Sequence, residues 1–86
     1  SVLSVYPNPA SESLSITLNI KEVDNLKIDL VSITGQTIAT LVNEKVDQGY
    51  ITKSYNLNDF SLQSGIYLVK VSLGKSISVK KLQITK

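Results

Sequence analysis

The chain has 86 residues, 42% of them hydrophobic, which is enough for one small domain with a modest core. It contains no cysteine and no histidine, so disulfides, the usual zinc sites and histidine-dependent nucleophilic triads are all excluded. The net charge is only +2, and no apolar run approaches the roughly 20 residues of a membrane-spanning helix. We therefore expect a domain with no catalytic residues, no metal and no cofactor.

The hydrophobic pattern alternates with a period of two along almost the whole chain, and this period predicts β-strands. The first predicted strand is Val2–Tyr6. We expect Tyr6-Pro7-Asn8-Pro9 to end it as an entry turn, because two prolines one residue apart cannot join a ladder. The next strand, Ser13–Ile20, carries four aliphatic side chains on one face: Leu14, Ile16, Leu18 and Ile20.

Two further strands are predicted over Leu26–Ile33 and Thr37–Val42, on either side of a hairpin turn. Gly35 supplies the positive φ that this turn needs. The first of these strands ends apolar on both faces, which is typical of a central strand. The following segment, 43–49, is too polar and too short for a helix, so it is predicted to be a connection.

The last three predicted strands are Tyr50–Leu57, Ile66–Leu73 and Ser76–Thr85, and Gly74-Lys75 forms a tight hairpin between the last two. In the final strand the apolar positions change phase, from Ile77 and Val79 to Leu82 and Ile84. One extra residue would restore the phase, so the pattern predicts a β-bulge at Lys80-Lys81.

Seven short strands with short connections and no crossover helix predict antiparallel pairing. Because some strands are apolar on both faces, a single sheet with one bare face is disfavoured. The predicted fold is therefore all-β, a seven-stranded antiparallel immunoglobulin-like β-sandwich, and we expect residues 1–86 to form one domain.

The loop Asn58–Gly65 contains two apolar anchors, Phe60 and Leu62, which are expected to close one end of the sandwich. Tyr67 follows Gly65 by two residues. A tyrosine at this position returns its hydroxyl to the backbone of the preceding loop in a tyrosine corner, so we expect Tyr67 to have this structural role.

Charge is distributed unevenly, because all seven acidic residues lie at or before Asp59 and five lysines follow it. Lysines on exposed strands discourage edge-to-edge pairing. They also suit a basic face for a partner, but without arginine they do not favour nucleic acid. Four aspartates are too widely spaced for a calcium loop and are expected at solvated positions: Asp24, Asp29, Asp47 and Asp59.

Four segments taken together resemble one known family, the type A C-terminal sorting domain of the type IX secretion system of Bacteroidetes. They occur in the order of the family's motifs and are Tyr6-Pro7-Asn8-Pro9-Ala10, the hairpin at 27–36, the segment at 62–71 and the lysine-bearing end at 80–86. The resemblance implies an export signal attached to the C-terminus of a secreted cargo. We accordingly expect the chain, which begins at Ser1, to be a piece of a longer protein.

The resemblance also implies the partners and the route. The folded domain would be recognised in the periplasm by the translocon or shuttle proteins of the secretion system. It would direct the cargo to the cell surface or the medium, and a surface sortase would then remove it. The last hairpin, Gly65–Lys86, is the expected recognition surface, with these residues: Gly65, Ile66, Tyr67, Lys70, Lys80, Lys81 and Lys86.

An alternative remains open, a passive immunoglobulin- or fibronectin-like accessory domain of a secreted enzyme, acting as a spacer or a carbohydrate-binding module. Carbohydrate-binding surfaces usually present exposed aromatic rings. Most of the aromatic residues here are expected in the core or at the corner, which makes this alternative the weaker one. The five are Tyr6, Tyr50, Tyr55, Phe60 and Tyr67.

Overall fold

The computed structural model describes residues 2–7 and 11–85, with only the backbone given for Val2 and Leu3. Asn8, Pro9 and Lys86, on which parts of the sequence predictions depend, lie outside this range. The described residues form seven strands and one turn of 3₁₀ helix, Leu57–Phe60. The strands are β1 (Val2–Tyr6), β2 (Ser13–Ile20), β3 (Asp24–Ser32), β4 (Thr37–Val46), β5 (Gly49–Asn56), β6 (Gly65–Leu73) and β7 (Ser76–Ile84).

The strands form two antiparallel sheets, with the orders β1-β2-β5 and β4-β3-β6-β7. The fifth strand returns to the first sheet and the sixth to the second, so the chain passes repeatedly between the layers. This is the immunoglobulin-like arrangement, with β4 joined to the second sheet. The predicted fold is confirmed. Within the described part of the chain, no helix has the length and hydrophobicity to cross a membrane.

The core lies between the sheets and is built almost entirely from the inward-facing positions of the strands. All four aliphatic residues of β2 are buried, as the alternation predicted, because every second residue faces the opposite sheet. The central strand β3 contributes three more. The buried cluster comprises Leu14, Ile16, Leu18, Ile20, Leu26, Ile28, Leu30, Val42, Val46, Leu57, Val69, Val71, Leu82 and Ile84.

Strand β4 is longer than predicted, because it continues through segment 43–46 to Val46. The prediction of a polar connection over 43–49 was therefore wrong for 43–46, and the connection is confined to residues 47–48. Asp24 pairs with Val46 at the start of β3, and the ladder continues from there, while the side chains of Asn43, Glu44 and Lys45 stay exposed. An edge strand is held by its backbone hydrogen bonds, so its sequence need not be apolar.

Strand β7 contains no β-bulge at Lys80-Lys81, so that prediction was wrong. Lys80 pairs with Val69 and Lys81 with Leu68 in an unbroken register. The apolar phase changes for another reason. Ile77 and Val79 point outward and are 61% and 53% exposed. The inward positions that alternate with them in this half of the strand are the serines Ser76 and Ser78. Register shifts occur instead in the β3–β4 pair, after Ile28 and after Leu30, and in the β1–β2 pair between Val2 and Ser4.

Candidate recognition surface

The hairpin of β6 and β7 is a regular ladder of nine consecutive residue pairs, from Gly65–Ile84 to Leu73–Ser76. Its turn has only two central residues, Gly74 and Lys75. Gly74 has φ +58°, which is the left-handed region that glycine adopts without a steric penalty. A glycine at the first central position is typical of the type II′ turns whose twist matches a hairpin. The sequence therefore specifies this hairpin locally.

The two faces of the hairpin divide the residues predicted to form the recognition surface. Ile66, Lys70 and Lys81 lie on the outer face of the sheet, since they alternate with residues that pack in the core. Tyr67 and Lys80 belong to the inward-facing positions. We define the outer hairpin face as these outward positions: Ile66, Leu68, Lys70, Ser72, Ile77, Val79, Lys81 and Gln83.

The remaining predicted residues lie at the end of the ladder or beyond it. Gly65 is exposed and pairs with Ile84 at the start of β6. Lys80 faces inward but is exposed, because β7 is the outermost strand of its sheet. Lys86 lies outside the described residues. The structure therefore brings Ile66, Lys70 and Lys81 together on one face, and separates them from Tyr67.

Asp29 lies under the outer surface of the same sheet, on β3, directly opposite Lys70 of β6. It is only 6% exposed, so the prediction of a solvated position was wrong for this aspartate. Thr40 Oγ1 donates a hydrogen bond of 2.8 Å to Asp29 Oδ1, and Lys27 Nζ lies 3.8 Å from Oδ2. Neighbours from β3 and β4 thus cover the carboxylate and compensate its burial.

Lys70 and Lys80 form no ion pair with any residue in the described ranges, although Asp29 is opposite Lys70. No acidic residue follows Asp59 in the sequence. Lys70 and Lys80 consequently present positive charge that no ion pair among the described residues compensates. A surface of this kind attracts acidic partners and repels basic ones.

Tyr67 closes the corner between the two sheets as predicted. Its hydroxyl donates a hydrogen bond of 2.7 Å to the carbonyl oxygen of Gln63, in the loop that precedes β6. The ring packs against the core, together with the two anchors of the loop, Phe60 and Leu62. The geometry supports a structural role for Tyr67, since its hydroxyl is engaged within the domain.

One family model matches the chain, that of the secretion system C-terminal sorting domain, and the match covers residues 4–85. The chain belongs to this family. The match includes both strands of the hairpin and all four motifs described above except Lys86, and it confirms the resemblance to type IX sorting domains. None of the curated proteins gave a match. The family is one of sorting signals and is not an enzyme family.

On the opposite outer surface of the sorting domain, formed by β1, β2 and β5, none of the outward-facing side chains that the structure describes is charged. Among the described side chains, its outward positions are occupied only by serine, threonine, asparagine and tyrosine. Ser15 and Ser54 share a hydrogen bond of 2.9 Å, and Thr17 and Thr52 one of 3.2 Å. The outward-facing charges therefore lie on the four-stranded sheet, which includes the hairpin.

Two aromatic residues of the sorting domain are not in the core. Tyr50 is 75% exposed and Tyr6 is 45% exposed, both on the uncharged surface, whereas Tyr55, Phe60 and Tyr67 pack against the core. The expectation that most of the aromatic residues are claimed by the core or the corner is confirmed for three of the five.

A cleft of about 750 Å³ opens between the sheets at the end of the sorting domain where the β6–β7 turn lies. Its floor is apolar, with Leu18, Val71 and Leu73, and its rim carries Asp24 and Lys75. Within the described residues, no group of three or more His, Cys, Asp or Glu side chains is positioned to hold a metal ion.

Tyr67 and Tyr55 provide a matched pair for testing the corner of the sorting domain. Tyr67→Phe is expected to lower the free energy of unfolding by about 1 kcal/mol, because it removes the hydrogen bond to Gln63. Tyr55→Phe is expected to leave it unchanged or to raise it, because the buried Tyr55 hydroxyl has no hydrogen-bond partner in the described structure. Urea denaturation of both variants measures the difference.

The environment of Tyr55 supports its use as the control. Burial, with a smaller contribution from the Glu44 carboxylate, raises the pKa of Tyr55 above its ordinary value of 10.0. Both effects disfavour the ionised hydroxyl, so Tyr55 is neutral throughout the pH range of such measurements. Equal losses in the two variants would contradict a specific role for the Tyr67 hydroxyl.

Proposed function

We propose that this domain directs a cargo protein across the outer membrane through the type IX secretion machinery, as a folded signal that performs no chemistry itself. Membership of the sorting-signal family over residues 4–85 carries the proposal. The route begins in the periplasm, where the translocon or its shuttle proteins bind the domain. A cell-surface sortase then removes the domain from the cargo.

We further propose that the hairpin of β6 and β7 is the surface that the machinery binds. Three features support this choice. The hairpin is a regular ladder, its lysines have no acidic neighbour in sequence, and Lys70 and Lys80 lack ion pairs among the described residues. A partner that binds a folded surface needs such a fixed arrangement of charge, and needs no pocket.

The test is an export assay in a host that has this secretion system. The chain Ser1–Lys86 is fused behind a periplasmic reporter, and the reporter outside the cells is measured. Lys70→Gln with Lys80→Gln is expected to lower export at least five-fold. The matched control, Lys21→Gln with Lys45→Gln, removes the same charge from exposed positions outside the hairpin and is expected to leave export unchanged.

These substitutions are preferable to deleting residues 80–86. That deletion removes Leu82 and Ile84, which are buried in the core, so it would unfold the domain and report on stability. No export of the parent fusion would contradict the sorting function and would favour a passive accessory domain. Equal export of the two double variants would contradict recognition through the hairpin lysines while leaving the sorting function intact.

A further inference from the structure

Strand β7 has a hydrogen-bonded neighbour on one side only. It ends the order β4-β3-β6-β7, and within the described residues no other strand pairs with its second edge. It is nine residues long, contains no proline and has no register shift along its ladder with β6. The half of this edge next to the turn, Ser76–Lys80, is a template on which another extended segment adds as a further strand.

The register of the hairpin identifies which amides face the open edge. A two-residue turn is closed by a residue pair that exchanges both backbone hydrogen bonds, which here is Leu73–Ser76. Bonding and non-bonding pairs alternate from there. The backbone groups of Ser78 and Lys80 therefore point toward β6, and those of Ile77 and Val79 point away from it.

Side chains at the same two positions are also available for contact. Ile77 and Val79 are the large apolar residues of β7 that the overall fold leaves exposed. Natural edge strands are usually protected by bulges, prolines or charge. β7 has neither a bulge nor a proline, and lysines flank the apolar pair at Lys75 and at Lys80-Lys81.

We infer that an extended acidic segment of a partner protein pairs with the open edge of β7, adding a strand to the four-stranded sheet. The inference rests on the proposed sorting function and specifies how the hairpin is bound. Backbone hydrogen bonds to Ile77 and Val79 supply affinity, and the lysines select acidic side chains. A second copy of this chain is disfavoured as the occupant, because two β7 edges would place lysines against lysines.

Proline at an outward-facing amide tests the pairing. Val79→Pro removes one N–H from the open edge and none from the ladder with β6, and edge strands accept proline at such positions. In the export assay it is expected to lower reporter export at least ten-fold. Val79→Thr keeps the N–H and the branched side chain, so it is the matched control and is expected to retain at least half of the export.

Thermal unfolding of the purified domains shows whether each proline variant is folded. Should Val79→Pro unfold, Ile77→Pro probes the outward-facing amide of Ile77 and is scored in the same way. A folded proline variant that is exported like the parent overturns the pairing. If the parent fusion is exported in the same experiment, only the strand pairing is overturned. If the parent itself is not exported, the proposed function fails.

The charge of the partner is tested at Lys80. With an acidic partner, Lys80→Glu introduces repulsion, so its export is expected to be at least three-fold lower than that of Lys80→Gln. Equal export of the two variants overturns the acidic character of the segment. Sedimentation of the purified parent domain tests whether a second copy of the chain occupies the edge. A dimer that Val79→Pro abolishes would show that a second copy covers the edge and that an acidic partner does not.

Discussion

Leu30→Ala is expected to lower the free energy of unfolding by about 2–5 kcal/mol. Leu30 is fully buried on the central strand β3, between Ala39 of β4 and Val69 of β6. Removing its side chain leaves a cavity that strands fixed on both sides cannot close. A chain of this length has a total stability of roughly 4–13 kcal/mol, so the variant is expected to be largely unfolded under mild denaturing conditions.

The measurement is urea denaturation followed by circular dichroism, with Ile77→Ala as the control. Ile77 is an aliphatic residue of similar size but it is exposed, so its truncation is expected to change the stability by no more than about 0.5 kcal/mol. In the export assay, reporter export of Leu30→Ala is expected to fall with the folded fraction. Full export of an unfolded Leu30→Ala variant would show that the signal is read without its fold.

Gly74→Ala is expected to be the second most damaging change, with a loss of about 1–2 kcal/mol from the backbone conformation and a smaller loss from displacing the exposed Asp24 side chain. Alanine in the left-handed region that Gly74 occupies costs roughly 1–2 kcal/mol by itself. An added Cβ would also overlap the carboxylate of Asp24, lying 2.7 Å from its Cγ atom. The two contributions act through different atoms, so they are separable.

A double-mutant cycle separates them. In an Asp24→Ala background the overlap disappears, so Gly74→Ala is expected to cost only the conformational part. Gly35→Ala is the matched control for that part, because Gly35 also has a positive φ, +95°, and nothing lies within 4 Å of an added Cβ. A Gly74→Ala loss that is the same in both backgrounds would contradict the contact with Asp24. Thermal unfolding measures all four variants.

The sequence predicts the interior of this fold better than its edges. Strands β2 and β3 have a buried face along their whole length, so an aliphatic residue is required at every second position and the alternation reveals them. The edge strand β4 is stabilised by its ladder with β3 and leaves Asn43, Glu44 and Lys45 in solvent. Nothing in its polar sequence demands a strand, and its end was therefore predicted too early.

The error at β7 has a related physical cause. At the rim of a sandwich the inward positions need not be apolar, and here Ser76 and Ser78 line an open cleft. The apolar residues Ile77 and Val79 occupy odd-numbered, outward-facing positions of the strand, whereas its core residues Leu82 and Ile84 occupy even-numbered, inward-facing positions. A bulge and an exposed apolar edge produce the same sequence pattern, and only the register distinguishes them.

For the candidate site, the sequence identified the hairpin and the tyrosine corner, since both depend on local turn residues. It also placed Tyr67 with Ile66 in one recognition surface, although strand alternation puts neighbours on opposite faces. The burial of Asp29 was missed, because its cover comes from Thr40 on another strand. Such tertiary neighbours leave no local pattern in the sequence.

The direction of the outermost strands fixes where an attached protein would stand. Val2 pairs with Leu18 near the Gly74 turn, whereas Ile84 pairs with Gly65 at the opposite end of a body whose longest dimension is 36 Å. A polypeptide that continues upstream of Val2 thus leaves from the turn end. A cargo attached there would stand next to the half of β7 that carries Ile77 and Val79, so a partner paired with that edge would bind beside the cargo, and the Gly65 end would point away from it.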